Sequence, residues 1–105
     1  MNKHKLILST FPSKDSAMIA IQALLEQRLV ACANILPNIE SWYWWQNKIE
    51  NSNEVLVLFK TSYAKYDVAM EIIQKNHPYE TPEVIIVDID KISEKYQSWL
   101  ICETN

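Results

Sequence analysis

The run Trp42-Tyr43-Trp44-Trp45 limits what this chain can fold into more than any other stretch. In a β-strand successive side chains point to opposite faces, so Trp42 and Trp44 line one face while Tyr43 and Trp45 line the other. The flanks continue the pattern. Ile35, Ile39 and Tyr43 alternate with Leu36 and Trp42 on one arm, and Val55, Val57 and Phe59 alternate with Leu56 and Leu58 on the other. An antiparallel sheet with one face in water alternates apolar and polar residues. This hairpin does not, so its second face needs a cover. Four aromatics at about 150–250 Å² each carry roughly 800 Å² of apolar surface. The pattern predicts an obligate oligomer and says nothing of a chemical activity.

A length of 105 residues suits one domain, residues 1–105, built on a single core, and 49% hydrophobic residues make it globular. Ten basic residues stand against 13 acidic ones, for a net charge of -3, and no basic cluster occurs. That composition gives nucleic acid no electrostatic footprint. No apolar run reaches the roughly 18 residues a membrane helix needs, and MNKHK leads into a strand pattern with no signal-peptide core. The expected compartment is the cytoplasm, without membrane contact. Cys32 and Cys102 are the two cysteines, with no C-x-x-C, which fits a reducing compartment and argues against a disulfide framework or a cysteine zinc site. Glycine is absent altogether. Turns that need positive φ must then use residues such as Asn, and phosphate-loop and dinucleotide fingerprints are excluded.

Lys5 to Phe11 reads as a buried strand ended by Pro12. Ser13 is a plausible N-cap for an amphipathic helix over about residues 14–28, whose apolar face carries Ala17, Ile21, Leu24 and Leu25. Val30 to Leu36 opens the second strand, and Pro37-Asn38 bends or bulges it before the aromatic run. Gln46-Asn47 makes the hairpin turn, with Asn47 left-handed, and Lys48 to Thr61 returns with a polar bulge expected at Asn51-Ser52-Asn53. Ser62 caps a second helix near 63–76, with Tyr66, Ala69 and Ile73 on one face; Pro78 ends it. Val84 to Ile89 is a fourth strand, and Ser93 caps a terminal helix whose apolar side holds Tyr96, Trp99 and Leu100. The order βαββαβ plus a helix folds most simply as an α+β, ferredoxin-like split βαβ sandwich with both main helices on one sheet face. The uncovered face and the long hairpin are left for neighbouring subunits in a closed symmetric assembly.

The connection His77-Pro78-Tyr79-Glu80-Thr81-Pro82-Glu83 has the composition of a binding loop, with two prolines fixing a backbone from which His, Tyr and carboxylates project. A histidine at a helix C-terminus is equally explained by the last carbonyls of that helix. His4 and His77 are the two histidines, and no His or Cys stands at ligand spacing near His77. Cys32 lies in an apolar strand and reads as inert filling, unless Lys60 borders the same cleft and favours its thiolate. The Trp run suits an oligomer core better than base stacking, since no basic groove accompanies it. No Ser-His-Asp, Cys-His or paired-carboxylate arrangement marks an active site, and a Cys32 nucleophile with a His77 base is the minor, enzymatic alternative.

Taken together, Thr10-Phe11-Pro12, Leu29 to Ile35 with Pro37, Ser41 to Trp45, Lys48-Ile49-Glu50, Lys60-Thr61, His77-Pro78-Tyr79-Glu80 with Pro82-Glu83, and Tyr96 with Trp99 resemble the CutA family of divalent-cation tolerance proteins. The resemblance spans nearly the whole chain. It implies a ferredoxin-like subunit, a tight homotrimer built on the long aromatic hairpin, and a fold shared with PII-like signalling proteins, which bind small ligands between subunits. It also implies a non-enzymatic role in the response to metal ions, with copper or a similar divalent cation as the cofactor. By position it carries over Cys32, Trp45, Lys60, Tyr79 and Glu80 as ligand-binding residues and His77 as the metal ligand. Members with a copper-ligand set place a cysteine where this chain has Ser9 and a second histidine where it has Asn76, so His77 is what remains of that set. Asn47 stands where a glycine commonly ends the hairpin turn, and residues 90–95 lack the glycine usual before the last helix.

Overall fold

The computed structural model describes residues 2–105. Its elements are β1 (Lys5–Phe11), α1 (Lys14–Glu26), β2 (Cys32–Trp45), β3 (Lys48–Thr61), α2 (Tyr66–Lys75), β4 (Val84–Asp88) and α3 (Glu94–Glu103). The four strands form one antiparallel sheet in the order β2-β3-β1-β4. This is the α+β split βαβ arrangement that the element order predicts, with β3 between β1 and β2.

Strand alternation decides which face the helices cover. Ile7 pairs with Phe59 and with Ile86, and Phe11 pairs with Val55. These side chains meet Ala17, Ala20, Ile21 and Leu24 of α1, and Ala69 and Ile73 of α2, in one buried cluster. Leu25, expected on that face, is instead exposed, because the buried stripe of α1 runs through Ala20. The opposite sheet face carries Leu6, Leu8, Leu56 and Leu58 half-buried, and Leu36, Ile85 and Val87 exposed. Within the subunit α1 and α2 leave it uncovered, and Tyr96 of α3 adjoins it at Cys32.

The chain makes its turns without glycine at four positive-φ positions: Arg28, Asn38, Gln46 and Asn47. Helix α1 stops at Glu26 rather than near residue 28 because Arg28 takes the left-handed conformation at φ 56°. The amide of Leu29 then reaches Leu24 O at 2.9 Å and that of Arg28 reaches Leu25 O at 3.1 Å, which is a Schellman closure. The Arg28 guanidinium also donates to Glu103 O at 3.1 Å, tying α3 to this corner. Both Gln46 and Asn47 have positive φ, the signature of a two-residue type I′ hairpin, so Gln46 shares the role expected of Asn47 alone.

Pro37-Asn38 does bulge β2. Leu36 faces Leu56 and Ile39 faces Glu54, so β2 holds one residue more than β3 across this step. The bulge exchanges the faces of everything beyond it. Tyr43 and Trp45 share the open sheet face with Leu56 and Leu58, while Trp42 and Trp44 point to the helix side, past the helices' reach. The second bulge, expected at Asn51-Ser52-Asn53, is not there: each pairs in register, with Trp42, Ser41 and Glu40. Its polar residues belong to a regular ribbon projecting from the body, which gives the subunit its long axis of 44 Å against 26 and 22 Å. Helix α2 begins at Tyr66 rather than 63, and Ser62 does not cap it; the Ser62 carbonyl closes a turn with the Lys65 amide at 3.1 Å. Ser93 holds the N-cap position of α3 without a side-chain hydrogen bond.

Candidate functional site

The loop after α2 is held by a chain of contacts that starts at His77. Its Nε2 lies 2.7 Å from the Thr10 carbonyl, its Nδ1 lies 3.1 Å from the Tyr79 amide, and its ring stacks on Phe11 with centroids 4.3 Å apart. A backbone N–H donates and a backbone carbonyl accepts, so the proton sits on Nε2 and the Nδ1 lone pair is taken. Both ring nitrogens are therefore used inside the subunit. Burial pushes the imidazole below its ordinary value, opposed by the Thr10 hydrogen bond and the charge of Glu54. Tyr79 continues the chain, its ring 5.1 Å from that of His77 and its hydroxyl donating to Glu54 Oε2 at 2.8 Å. Burial, and then the bond to Glu54, hold this phenol well above its usual range, so it stays a donor. Glu80 and Glu83 project into solvent from the same loop.

Ser9 and Asn76 are both tied into the fold by hydrogen bonds to backbone carbonyls. Ser9 is fully buried on the helix face and donates to the Glu83 carbonyl at 2.7 Å. Asn76 Nδ2 donates to Ile72 O at 2.9 Å and finishes α2. Among the described residues no group of three or more His, Cys, Asp or Glu side chains is placed to hold a metal ion.

Cys32 and Lys60 do meet. They pair across β2 and β3 on the open face, with Nζ 3.8 Å from Sγ. Tyr96 of α3 adjoins them; burial pushes its phenol up, and the Cys32 sulfur beside it adds to the effect. This group is remote from His77. Lys60 lies opposite Leu6 on β1, whereas His77 is bonded to Thr10, four residues or about 13 Å further along that strand. Within one subunit Cys32 and His77 therefore form no nucleophile-base pair. Trp45, at the hairpin tip, is 12 residues up β3 from the level of Lys60, roughly 40 Å of strand. One subunit thus keeps the sequence-predicted residues in three places: His77, Tyr79 and Glu80 in the loop, Cys32 and Lys60 near α3, and Trp45 alone. Glu54 and Tyr96 are the additions. Glu54 hides in the sequence because it adjoins the polar stretch Asn51-Ser52-Asn53 and belongs to no motif; Tyr96 reads as helix packing.

An antiparallel ferredoxin-like sheet with a long aromatic hairpin and a proline-framed His-Tyr-Glu loop defines a narrow class of small α+β proteins. The family described as CutA1 divalent ion tolerance protein matches residues 5–103. The divalent-cation tolerance protein CutA of Pyrococcus horikoshii is 39% identical over 99 residues, covering 94% of this chain and 96% of the relative. The crystal structure of CutA from Xylella fastidiosa superposes with a TM-score of 0.95 at 36% identity, covering 98% of this chain and 99% of that one. That of the divalent ion tolerance protein CutA1 from Ehrlichia chaffeensis gives 0.94 at 35% identity over 100% and 98%. This chain belongs to the CutA1 divalent ion tolerance family. No helix among the described residues is long and apolar enough to cross a membrane.

Proposed function

We propose that three copies of this chain close into a homotrimer that holds a divalent cation, copper among the candidates, in clefts between subunits beside the His77 to Glu83 loop. It acts as a binding and sensing protein of the cytoplasm, without catalytic turnover. The observation that carries this reading is the exposure of the hairpin. Trp42, Trp44, Trp45 and Ile49 are 61, 72, 55 and 63% exposed in the subunit, and the second sheet face is apolar and left uncovered by α1 and α2. Apolar area of that extent marks an interface, and a closed ring of identical subunits hides it on every copy. Such an assembly is also what could bring Trp45 of one copy and the Cys32-Lys60 group of another toward the loop. His77 ligates a metal only if Nδ1 gives up the Tyr79 amide. Cation binding and a shift of the loop are then one event.

Light scattering of the purified protein should give three times 12.3 kDa; a stable monomer at micromolar concentration overturns the assembly. Calorimetric titration of copper, zinc and manganese into wild type and His77→Ala tests the site. Weaker binding by the variant is expected, with wild-type affinity roughly micromolar, about -8 kcal/mol. Equal binding removes His77 from the site, and no binding by either leaves the trimer scaffold alone. A second reading, a small anionic ligand sensed as in PII-like proteins, is favoured by Lys60. Its half-buried ammonium has the Cys32 sulfur as partner and no carboxylate among the described residues.

A further inference from the structure

Lys3 and Lys5 each hold an aspartate, Asp90 and Asp88. Lys60 is half-buried and has no carboxylate within ion-pair reach among the described residues; what it has is the Cys32 sulfur, 3.8 Å from Nζ. The sheet builds this contact. Cys32 and Lys60 are directly opposite on β2 and β3, so their side chains leave the same face side by side. The other neighbours of the sulfur are Asn34 Oδ1, at 3.9 Å, and the Tyr96 phenol, which burial keeps protonated. Both cysteines are free thiols. Cys102 lies six residues beyond Tyr96 on α3, about 9 Å along that helix. An oxidised thiol is electrophilic at sulfur and is consumed by a nearby thiol or nitrogen. At Cys32 the nucleophile in contact is an amine and not a second thiol.

We infer that Cys32 and Lys60 form a reversible covalent redox bridge: hydrogen peroxide oxidises the Cys32 sulfur, and the Lys60 nitrogen then bonds to it. In the first step the sulfur attacks one peroxide oxygen and the O–O bond breaks. Sulfur gives up two electrons, and the products are the sulfenic acid and water, which carries off the thiol proton. In the second step Lys60 Nζ attacks the sulfur, an S–N bond forms and the S–O bond breaks. The oxygen leaves as water with one of the two protons that the ammonium gives up, and the other proton goes to solvent. A dithiol reverses the bridge by attacking the sulfur, which returns the amine, and its second thiol then frees Cys32. The four-carbon stem of Lys60 is flexible enough to close the remaining distance while the strands stay paired. Peroxide is little larger than water, and Cys32 is half-buried rather than sealed in the core. The bridge replaces an ammonium by an uncharged link and staples β2 to β3 where β2 begins. It requires neither the cation nor the anion of the readings above.

The native protein, as wild type, Lys60→Arg and Cys102→Ser, is exposed to a slight molar excess of hydrogen peroxide, and intact masses and tryptic peptides are measured. Wild type and C102S should lose the mass of two hydrogens. Trypsin, blocked at Lys60, should release Leu29–Lys48 joined to Ile49–Lys65. Dithiothreitol should restore the starting mass and cleavage after Lys60. K60R keeps a positive charge beside the sulfur, but a guanidinium is a poor nucleophile, so its Cys32 should stop at the sulfenic acid and take up dimedone. Sulfenic or sulfinic Cys32 in wild type without the joined peptides overturns the inference. A Cys32 that stays a free thiol overturns it too, as does a disulfide from Cys32 to Cys102 or to a second copy. The wild-type peptide map alone decides among these outcomes, so the test stands even where K60R fails to fold.

Discussion

The β2-β3 ribbon is one structure in two environments. In its inner half Val57 and Phe59 are fully buried, facing Ile35 and Ala33 across the strands and covered by α1 and α2. In its outer half every residue from Trp42 to Glu50 is exposed, although the pairing there is equally regular. Backbone hydrogen bonding thus does not distinguish the halves; side-chain cover does. The chain has enough helix to bury one face of half the ribbon. The outer aromatics contribute nothing to the core of their own subunit, and their apolar character makes physical sense only against another surface.

The sharpest way to break this comparison is a charge in the outer half. Trp44→Asp should abolish the assembled form at micromolar concentration, because an unpaired charge buried at an interface costs several kcal/mol. Light scattering checks it, and an unchanged mass would mean the outer half is free surface after all. Truncation in the inner half should act differently. Phe59→Ala removes a fully buried ring and should cost about 3–5 kcal/mol in urea unfolding. For Trp44→Ala the loss should instead grow as the protein is diluted, since it falls on association.

Much of the inner half is legible in the sequence. β1 ends where Pro12 says it must, and the alternation of Val55 to Thr61 gives both strand and buried face. The aromatic run, with no polar alternation, already implies a missing cover. What misleads is chemistry that reads two ways. Asn51-Ser52-Asn53 look like a bulge because polar residues interrupt an apolar strand, yet they pair regularly in a ribbon that has left the core. Arg28 and Gln46 in the left-handed region carry no signal at all, because local propensity favours Asn or Gly there. The loop site is legible in part. His77 and Tyr79 stand out, but the buried Glu54 that receives the Tyr79 hydroxyl is 25 positions away, and only the sheet brings them together.

That bond yields a smaller prediction. The His77 loop docks where the two halves of the ribbon meet, since Phe11, under the His77 ring, pairs with Val55 next to Glu54. Tyr79→Phe removes the hydroxyl and leaves Glu54 with no donor among the described residues, at a cost of about 1–3 kcal/mol. The effect should be local: amide exchange in residues 77–83 should speed up while that of Val57 and Phe59 does not change. A uniform loss of protection would mean that the loop is part of the inner core.

The smallest expected effect is a dependence of stability on pH through His77. In the folded chain burial holds this imidazole below its ordinary 6.5, so over the window just beneath 6.5 the unfolded chain binds a proton that the folded one resists. Stability therefore rises with pH through that window. Read downward, it falls as pH drops below about 6.5 and levels off once the folded chain is protonated too. The physical cause is specific, since a proton on Nδ1 would oppose the Tyr79 amide that now donates to it. Urea unfolding of wild type and His77→Phe between pH 7.5 and 5.5 isolates the contribution, because Phe can keep the stack on Phe11 without a titrating group. Wild type should lose more stability than the variant over that interval. Parallel loss in both would assign the acid sensitivity of this interval to other groups than His77.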